Sequence, residues 1–339
     1  MVQAYVNSVL AKGFPPDKIA STLVQHGYEK KSIDPHLPVV SLRGISKSFR
    51  KNNVLNDLTL HVNEGELLGI IGLSGSGKTT LLNVLLGLHE PDSGSLHIKH
   101  SGLQYRSIPS KDLVGYAPQD PSFYRRLTVW ENLDHFASLF RIRDKSHIQG
   151  LIRFFGLEKA ADTLAGNLSG GMQRRLGIAC ALVHDPRLLV LDEPTADLDP
   201  FLRKEIWDMI NHIKKKKTVL LTTHFLSEVD DICDRIGILH KGSLRALGSP
   251  DFLKRNYSKN MEIILELRSS NYKPIIDELQ KKEYISNVVH RDHKIVIYTP
   301  EGEKTLSSLI KIISIHKEKI HDIELNRPGL TEVFESFVR

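Results

Sequence analysis

The apolar positions give the chain three successive rhythms. In residues 1–36, Tyr5, Val6, Val9 and Leu10 recur at helical spacing, Gly13-Phe-Pro-Pro16 interrupts them, and Ile19, Leu23 and Val24 resume the pattern until Gly27. So short a pair of helices holds no large core of its own. It either packs on the neighbouring domain or serves as a docking element, and Pro35 and Pro38 mark the linker beyond it. In residues 38–255, short strands at 39–42 and 58–62 precede a continuous apolar run, Leu67-Leu-Gly-Ile-Ile71, of the kind expected for a buried strand. Two further strands are predicted at 187–191 and 220–224, and helices at 81–88, 129–133, 148–155 and 176–183. In residues 256–339 the order changes to strand 261–267, helix 275–280, strands 285–290 and 295–298, helix 306–315 and strand 320–325. That β-α-β-β-α-β order predicts a small ferredoxin-like α+β domain.

Chemistry enters where the first buried strand ends. Gly72-Leu-Ser-Gly-Ser-Gly-Lys-Thr-Thr80 fits the P-loop spacing, with Gly72, Gly77, Lys78 and Thr79 at the required positions and Ser74, Gly75, Ser76 and Thr80 completing the loop. Glycines let successive N–H groups turn towards one anion, and the helix that opens there adds the positive end of its dipole. Lys78 would reach the β- and γ-phosphates of ATP, and the Thr79 hydroxyl would ligate Mg²⁺.

A second stretch, Asn167-Leu-Ser-Gly-Gly-Met-Gln-Arg-Arg175, resembles the signature motif of ATP-binding cassette (ABC) ATPases, and the family's other motifs follow in its order over residues 38–250. Arg187-Leu-Leu-Val-Leu-Asp-Glu-Pro194 looks like the Walker B strand. The resemblance implies that Asp192 positions the metal and Glu193 is the catalytic carboxylate. It also makes Gln119, in Tyr116-Ala-Pro-Gln-Asp120, the Q-loop residue that senses the metal. Asp199, in Ala196-Asp-Leu-Asp199, matches the D-loop, and His224 matches the switch histidine that contacts the γ-phosphate and water. Phe49 sits where the family stacks an aromatic ring on adenine, although an edge-strand core position is the other reading. Ser169, Gly170 and Gly171 precede a helix, and in the family's geometry that end completes the nucleotide site of another copy. Met172 stands where glutamine is usual, as in the export branch whose membrane subunits are separate chains. The implied architecture is an α/β P-loop ATPase core with an antiparallel β subdomain and a helical subdomain.

Composition narrows the context. The 339 residues, 40% hydrophobic and 25% charged, suit two or three domains. Cys180 and Cys233 make no disulfide framework or metal cluster and read as reduced core residues. The net charge of +6 is dispersed except at residues 214–217, which read as a solvated helix terminus. No apolar run approaches 18 residues, so direct membrane insertion is not expected. The leading expectation is an ATPase subunit, cytoplasmic and peripheral on the membrane, that drives export through separate transmembrane permease subunits and forms a homodimer or paired ATPase with ATP. The alternative is a soluble ABC ATPase acting on nucleic acid or in translation, for which two cassettes in one chain or a long coiled-coil insertion would be expected. No nucleic-acid partner is expected here. The C-terminal domain would regulate, dimerise or simply close the chain. All the motifs lie after Pro38, so the N-terminal module is expected to be dispensable for hydrolysis.

Overall fold

The computed structural model describes residues 2–101, 104–106, 112–257, 261–269, 271–326 and 329–338. The chain falls into two compact units, Met1–Gly248 and Ser249–Arg339.

In the first unit, α1 (Val2–Ala11), α2 (Pro16–Gln25) and the single turn α3 (Lys30–Ile33) form the N-terminal module. Pro16 opens α2 where a missing N–H costs nothing, and Gly27, at φ 86°, ends it. Val6, Leu10, Ile19, Leu23, Ile33 and Leu37 make a separate small core. Tyr5, expected on the buried face, is exposed, because two short helices bury only a narrow stripe.

The module is tied down by charge. Lys99 has 0% exposure; its Nζ donates to the Asp34 carbonyl at 2.7 Å, faces the Asp34 carboxylate at 2.8 Å and bonds Glu64 Oε2 at 2.9 Å. The other Glu64 oxygen accepts from Arg187 Nη2 at 2.7 Å. A lysine so buried is held only because carboxylates compensate its lost hydration.

Next come β1 (Val40–Phe49), β2 (Asn52–Val62), β3 (Leu67–Ile71), α4 (Lys78–Leu85), β4 (Ser93–Ser101) and β5 (Gln104–Arg106). Of these, β2-β1-β4-β5 form an antiparallel sheet in that order. The chain continues through β6 (Val114–Ala117), α5 (Val129–Leu139), α6 (Lys145–Phe154), α7 (Gly170–Leu182), β7 (Leu188–Asp192), α8 (Pro200–Lys214), β8 (Thr218–Thr223), α9 (Leu226–Ile232), β9 (Arg235–His240) and β10 (Ser243–Gly248). The second sheet runs β10-β9-β3-β8-β7-β6, parallel except for β10. Every residue of β3, β7 and β8 is buried, which explains their unbroken apolar runs. Pairing places Ala117 opposite Leu191, Asp192 opposite Thr222, and Ile71 opposite Thr223. The carboxyl ends of four strands therefore meet along one edge, where ligands bind in open α/β sheets.

Helix α5 starts with a complete capping box between Thr128 and Glu131. Fully buried Asn132 accepts from the Tyr124 N–H and donates to the carbonyls of Tyr124, Leu127 and Thr128, which fixes the loop between β6 and α5.

The second unit contains α10 (Pro250–Tyr257), β11 (Met261–Leu267), α11 (Lys273–Leu279), β12 (Asn287–Arg291), β13 (Lys294–Thr299), α12 (Gly302–Ile315), β14 (Ile320–Asn326) and α13 (Leu330–Val338). The sheet order β12-β13-β11-β14, antiparallel throughout, is that of a ferredoxin-like fold. Ile263, Leu265 and Leu267 point to one side and pack with Ile275 and Leu309.

On the first sheet, Ser41 lies between His61 and His97 across the strands. Burial pushes the His61 pKa from 6.5 to about 4, assisted by the charges of Arg43 and Arg235. Between those pH values the unfolded chain binds a proton on residue 61 that the folded chain does not. Stability therefore falls as pH drops through the window, by about 3 kcal/mol from this group. We expect urea unfolding of His61→Gln to show a correspondingly shallower acid limb than wild type; parallel limbs would contradict the assignment.

Candidate nucleotide site

The loop after β3 is shaped by what its glycines leave out. A Cβ on Gly72 would sit 2.4 Å from Ser76 Oγ and 2.5 Å from the Leu239 carbonyl oxygen, while Gly75 and Gly77 have φ of 77° and 107°. Ser74 and Gly75 are exposed, and Ser76 is buried with a hydroxyl that has no partner among the described residues. Helix α4 begins at Lys78 with Gly77 as its cap, so its first N–H groups face the loop.

Lys78 is buried and its Nζ donates to the Gly72 carbonyl at 2.8 Å, with the Leu73 carbonyl at 3.4 Å. The same nitrogen lies 3.4 Å from Glu193 Oε1. Glu193 Oε2 accepts from His224 Nδ1 at 2.8 Å and from the His224 backbone N–H at 3.3 Å. One carboxylate thus joins the P-loop lysine to the residue after β8.

Asp192 and Glu193 are neighbours in sequence and divide the work between two directions. Glu193 adopts φ 49°, a left-handed backbone that a non-glycine residue occupies only under constraint. Its N–H donates to the Thr222 carbonyl at 3.1 Å. Asp192 accepts instead from the Thr222 hydroxyl, and the Thr79 hydroxyl is also within bonding reach. Burial is the main cause that raises the Asp192 pKa above its ordinary value; the Thr222 bond opposes it and the Glu193 charge adds to it.

The other expected residues are spread around this centre. Thr79 is exposed and Thr80 half-buried on the first turn of α4. Phe49, at the end of β1, is 40% exposed, with its ring edge-to-face with His89 at 5.2 Å. It is not a core residue, and a ring surface remains open. Gln119, two residues beyond β6, is exposed and lines a cleft with Gly170, Arg174 and Asp197. No hydrogen bond joins it to Thr79, Asp192 or Glu193 among the described residues. Ser169 caps α7, accepting from the Met172 N–H at 3.4 Å, and Ser169 and Gly170 are exposed. Neither contacts the P-loop in this chain among the described hydrogen bonds. Asp199 caps α8, accepting from the N–H groups of Phe201 and Leu202 at 3.0 and 3.1 Å.

Two contributors escaped the sequence pattern. Thr222 holds Asp192 and the backbone of Glu193, a role signalled only by hydroxyl residues ending an apolar strand. Arg174 donates to the Pro118 carbonyl at 3.1 Å, beside Gln119, and feels the charges of Asp197, Asp120, Asp192 and Glu193. Burial nonetheless lowers its pKa.

The donor set fits Mg²⁺-nucleotide. The glycine turns leave space for phosphate, an unpartnered buried hydroxyl and a lysine face it, and a hydroxyl–carboxylate pair lies beside them. Hard oxygen ligands of this kind suit Mg²⁺.

Comparison with known proteins agrees with this geometry. Residues 55–196 match the family model described as ABC transporter. The chain is 35% identical to a Nod factor export ATP-binding protein from Rhizobium sp. (strain N33), over 78% of this chain and 87% of that one. It is 33% identical to an uncharacterized ABC transporter ATP-binding protein from Bacillus subtilis (strain 168), over 80% and 92%. Among solved structures, an ATP-binding subunit of an ABC transporter superposes with a TM-score of 0.57 at 31% identity, covering 65% of this chain and 93% of that one. A dimeric post-hydrolysis ATP-binding cassette bound to ADP and phosphate gives 0.56 at 26% identity, covering 62% and 98%.

The glycine geometry makes a contrasting pair of variants. Gly72→Ala drives a Cβ into a fixed backbone carbonyl and should lower stability by about 1–3 kcal/mol and weaken ATP binding. Gly170→Ala meets nothing within 4 Å and should change stability by no more than about 0.5 kcal/mol. Thermal unfolding and titration with a fluorescent ATP analogue check both; equal effects would contradict the packing argument.

Proposed function

Because the chain belongs to the ABC transporter family as an ATP-binding, ATP-hydrolysing subunit, we propose that it powers an exporter whose membrane-spanning part is carried by separate subunits. The observation that carries this reading is the Glu193 carboxylate held between Lys78 and His224 at the meeting point of β3, β7 and β8. Similarity to a Nod factor export ATP-binding protein supports the export direction. Both relatives are transporter ATP-binding proteins, which favours transport over action on nucleic acid.

In this reading the P-loop N–H groups and Lys78 hold the β- and γ-phosphates, and Phe49 offers its ring to adenine. Thr79 and Asp192 would hold Mg²⁺, with Gln119 approaching from the end of β6, and the ion would supply positive charge against the phosphates. Glu193 orients the attacking water and accepts its proton. His224 fixes Glu193 through Nδ1 and places its ring beside the same water. Lys78 leaves Glu193 for the phosphate when nucleotide binds, which frees the carboxylate for the water.

Ser169, Gly170 and Gly171 serve a second copy. Ser169 and Gly170 form the exposed helix end, with Gly171 buried behind them, and its N–H groups face an anion that bound ATP in a facing chain supplies. The dimeric cassette bound to ADP and phosphate is a precedent for such an arrangement in a similar structure. ATP then joins the two chains and hydrolysis releases them. Tyr124 and Leu139, exposed apolar side chains in the segment after Gln119, offer a surface for the membrane subunit. In this reading that partner holds the chain at the cytoplasmic face; no described helix is long and apolar enough to cross a membrane.

Glu193→Gln should bind ATP, lower turnover about 10²–10⁴-fold and accumulate as a dimer in ATP. Lys78→Ala should bind ATP poorly and stay monomeric. Phosphate release and sizing in ATP test both, with the membrane subunits present. Unchanged turnover, or a Glu193→Gln protein that remains monomeric there, would overturn the shared-site mechanism.

A further inference from the structure

We propose that Arg174 is a positioning residue for hydrolysis: it ties the Gln119 segment to the helix end that carries Ser169 and Gly170, so that both are presented to nucleotide as one body. The inference rests on the shared-site reading above and adds to it a residue that acts through others.

Little else holds the Gln119 segment. Pro118 and Pro121 bring no N–H groups to it. Among the described hydrogen bonds, the one from Arg174 Nη1 to the Pro118 carbonyl, at 3.1 Å, is the only one made by residues 118–122. Arg174 stands in the second turn of α7, just beyond the Ser169 cap. A bond from that turn to the carbonyl immediately before Gln119 therefore fixes where the glutamine sits relative to Ser169 and Gly170. Gln119, Gly170 and Arg174 accordingly line one cleft, together with Asp197.

The adjacent arginine shows what a purely structural role looks like on this helix. Arg175 forms an ion pair with Glu205 and so joins α7 to α8. Arg174 makes no such pair among the described residues; its bond goes to a backbone carbonyl, and the charges of Asp197, Asp120, Asp192 and Glu193 act on it from the nucleotide edge. Those acids belong to the Gln119 segment, the end of β7 and the turn that follows it. Their field holds the guanidinium towards the edge without fixing it in one locked pair. Loss of the guanidinium would leave the Pro118 carbonyl without its donor and Gln119 without its fixed place, while the P-loop, Thr79 and Asp192 keep their own contacts.

The test is a double-mutant cycle in the full chain with the membrane subunits present. Arg174→Met, which keeps the apolar stem and removes the donors, should leave binding of a fluorescent ATP analogue within about twofold of wild type. It should lower turnover about 10–100-fold and raise the Mg²⁺ concentration for half-maximal turnover. In a Gln119→Ala background the same substitution should cost no more than about twofold further, because the residue it acts through is gone. Arg174→Lys, which keeps the charge and one donor, should recover most of the turnover. Sizing gives a readout independent of hydrolysis: in a Glu193→Gln background, Arg174→Met should need about tenfold more ATP to bring half the chains into dimers. If circular dichroism shows Arg174→Met unfolded, Arg174→Gln, which keeps a polar side chain in the cleft, replaces it throughout the cycle. Wild-type turnover, a loss undiminished by Gln119→Ala, an Arg174→Lys protein as slow as Arg174→Met, or unchanged dimerisation overturns the positioning role. Glu193→Gln alone, measured alongside, separates that failure from failure of the ATPase reading, which requires slow turnover there whatever Arg174 does.

Discussion

The nucleotide edge depends on giving a buried glutamate partners for both of its carboxylate oxygens. Glu193 is nearly inaccessible, and burying a carboxylate without hydrogen-bond or charge partners is costly. Lys78 on one oxygen and His224 on the other supply the compensation, the first opening α4 after the loop that follows β3 and the second directly following β8. The requirement propagates outward. Lys78 can reach only because β3 turns at once into α4 through glycine conformations, and His224 can reach only because β8 lies directly between β3 and β7. The left-handed backbone at Glu193, a conformation costing on the order of 1–3 kcal/mol, turns its carboxylate away from that of Asp192. Two adjacent acids are thereby given different partners, Thr222 for Asp192 and Lys78 with His224 for Glu193.

Much of this arrangement was legible in the sequence because it is local. The apolar runs at 67–71 and 261–267 coincide with β3 and β11 to the residue, since a strand buried on both faces, or regularly alternating, leaves a mark in the chain itself. The P-loop spacing is likewise a local demand of backbone geometry. Gln119 was legible as a motif, yet its side chain stays exposed in a cleft with Arg174, which holds the preceding Pro118 carbonyl, and no described hydrogen bond ties it to the phosphate centre.

The features with no sequence signal rest on partners remote in the chain. Arg174 reads as one polar residue in a helix, and only the pairing of β6 with β7 brings the Pro118 carbonyl and the acidic edge to it. Lys99 sits in a strand whose alternation predicts nothing about a charge with no exposure; Asp34 and Glu64, 65 and 35 positions away, give it a place. Tyr5 shares a helical face with Val6 by spacing alone, but the module's core is too small to include it.

The N-terminal module is consequently neither a free docking arm nor an apolar extension of the core. Its own hydrophobic cluster is separate from that of the two sheets. The two are joined by the Lys99–Asp34 pair, the Gly13 carbonyl on Arg43, and a polar seam with unpaired donors between. Apolar contact stabilises in proportion to area and tolerates small shifts, whereas charged pairs depend on position. Lys99 also extends the chain of charge through Glu64 to Arg187, the residue immediately before β7. Displacing the module would leave a buried ammonium short of a partner within reach of the strand that carries Asp192. Removal of residues 1–35 therefore perturbs more than an appendage, although every nucleotide motif lies beyond the cut.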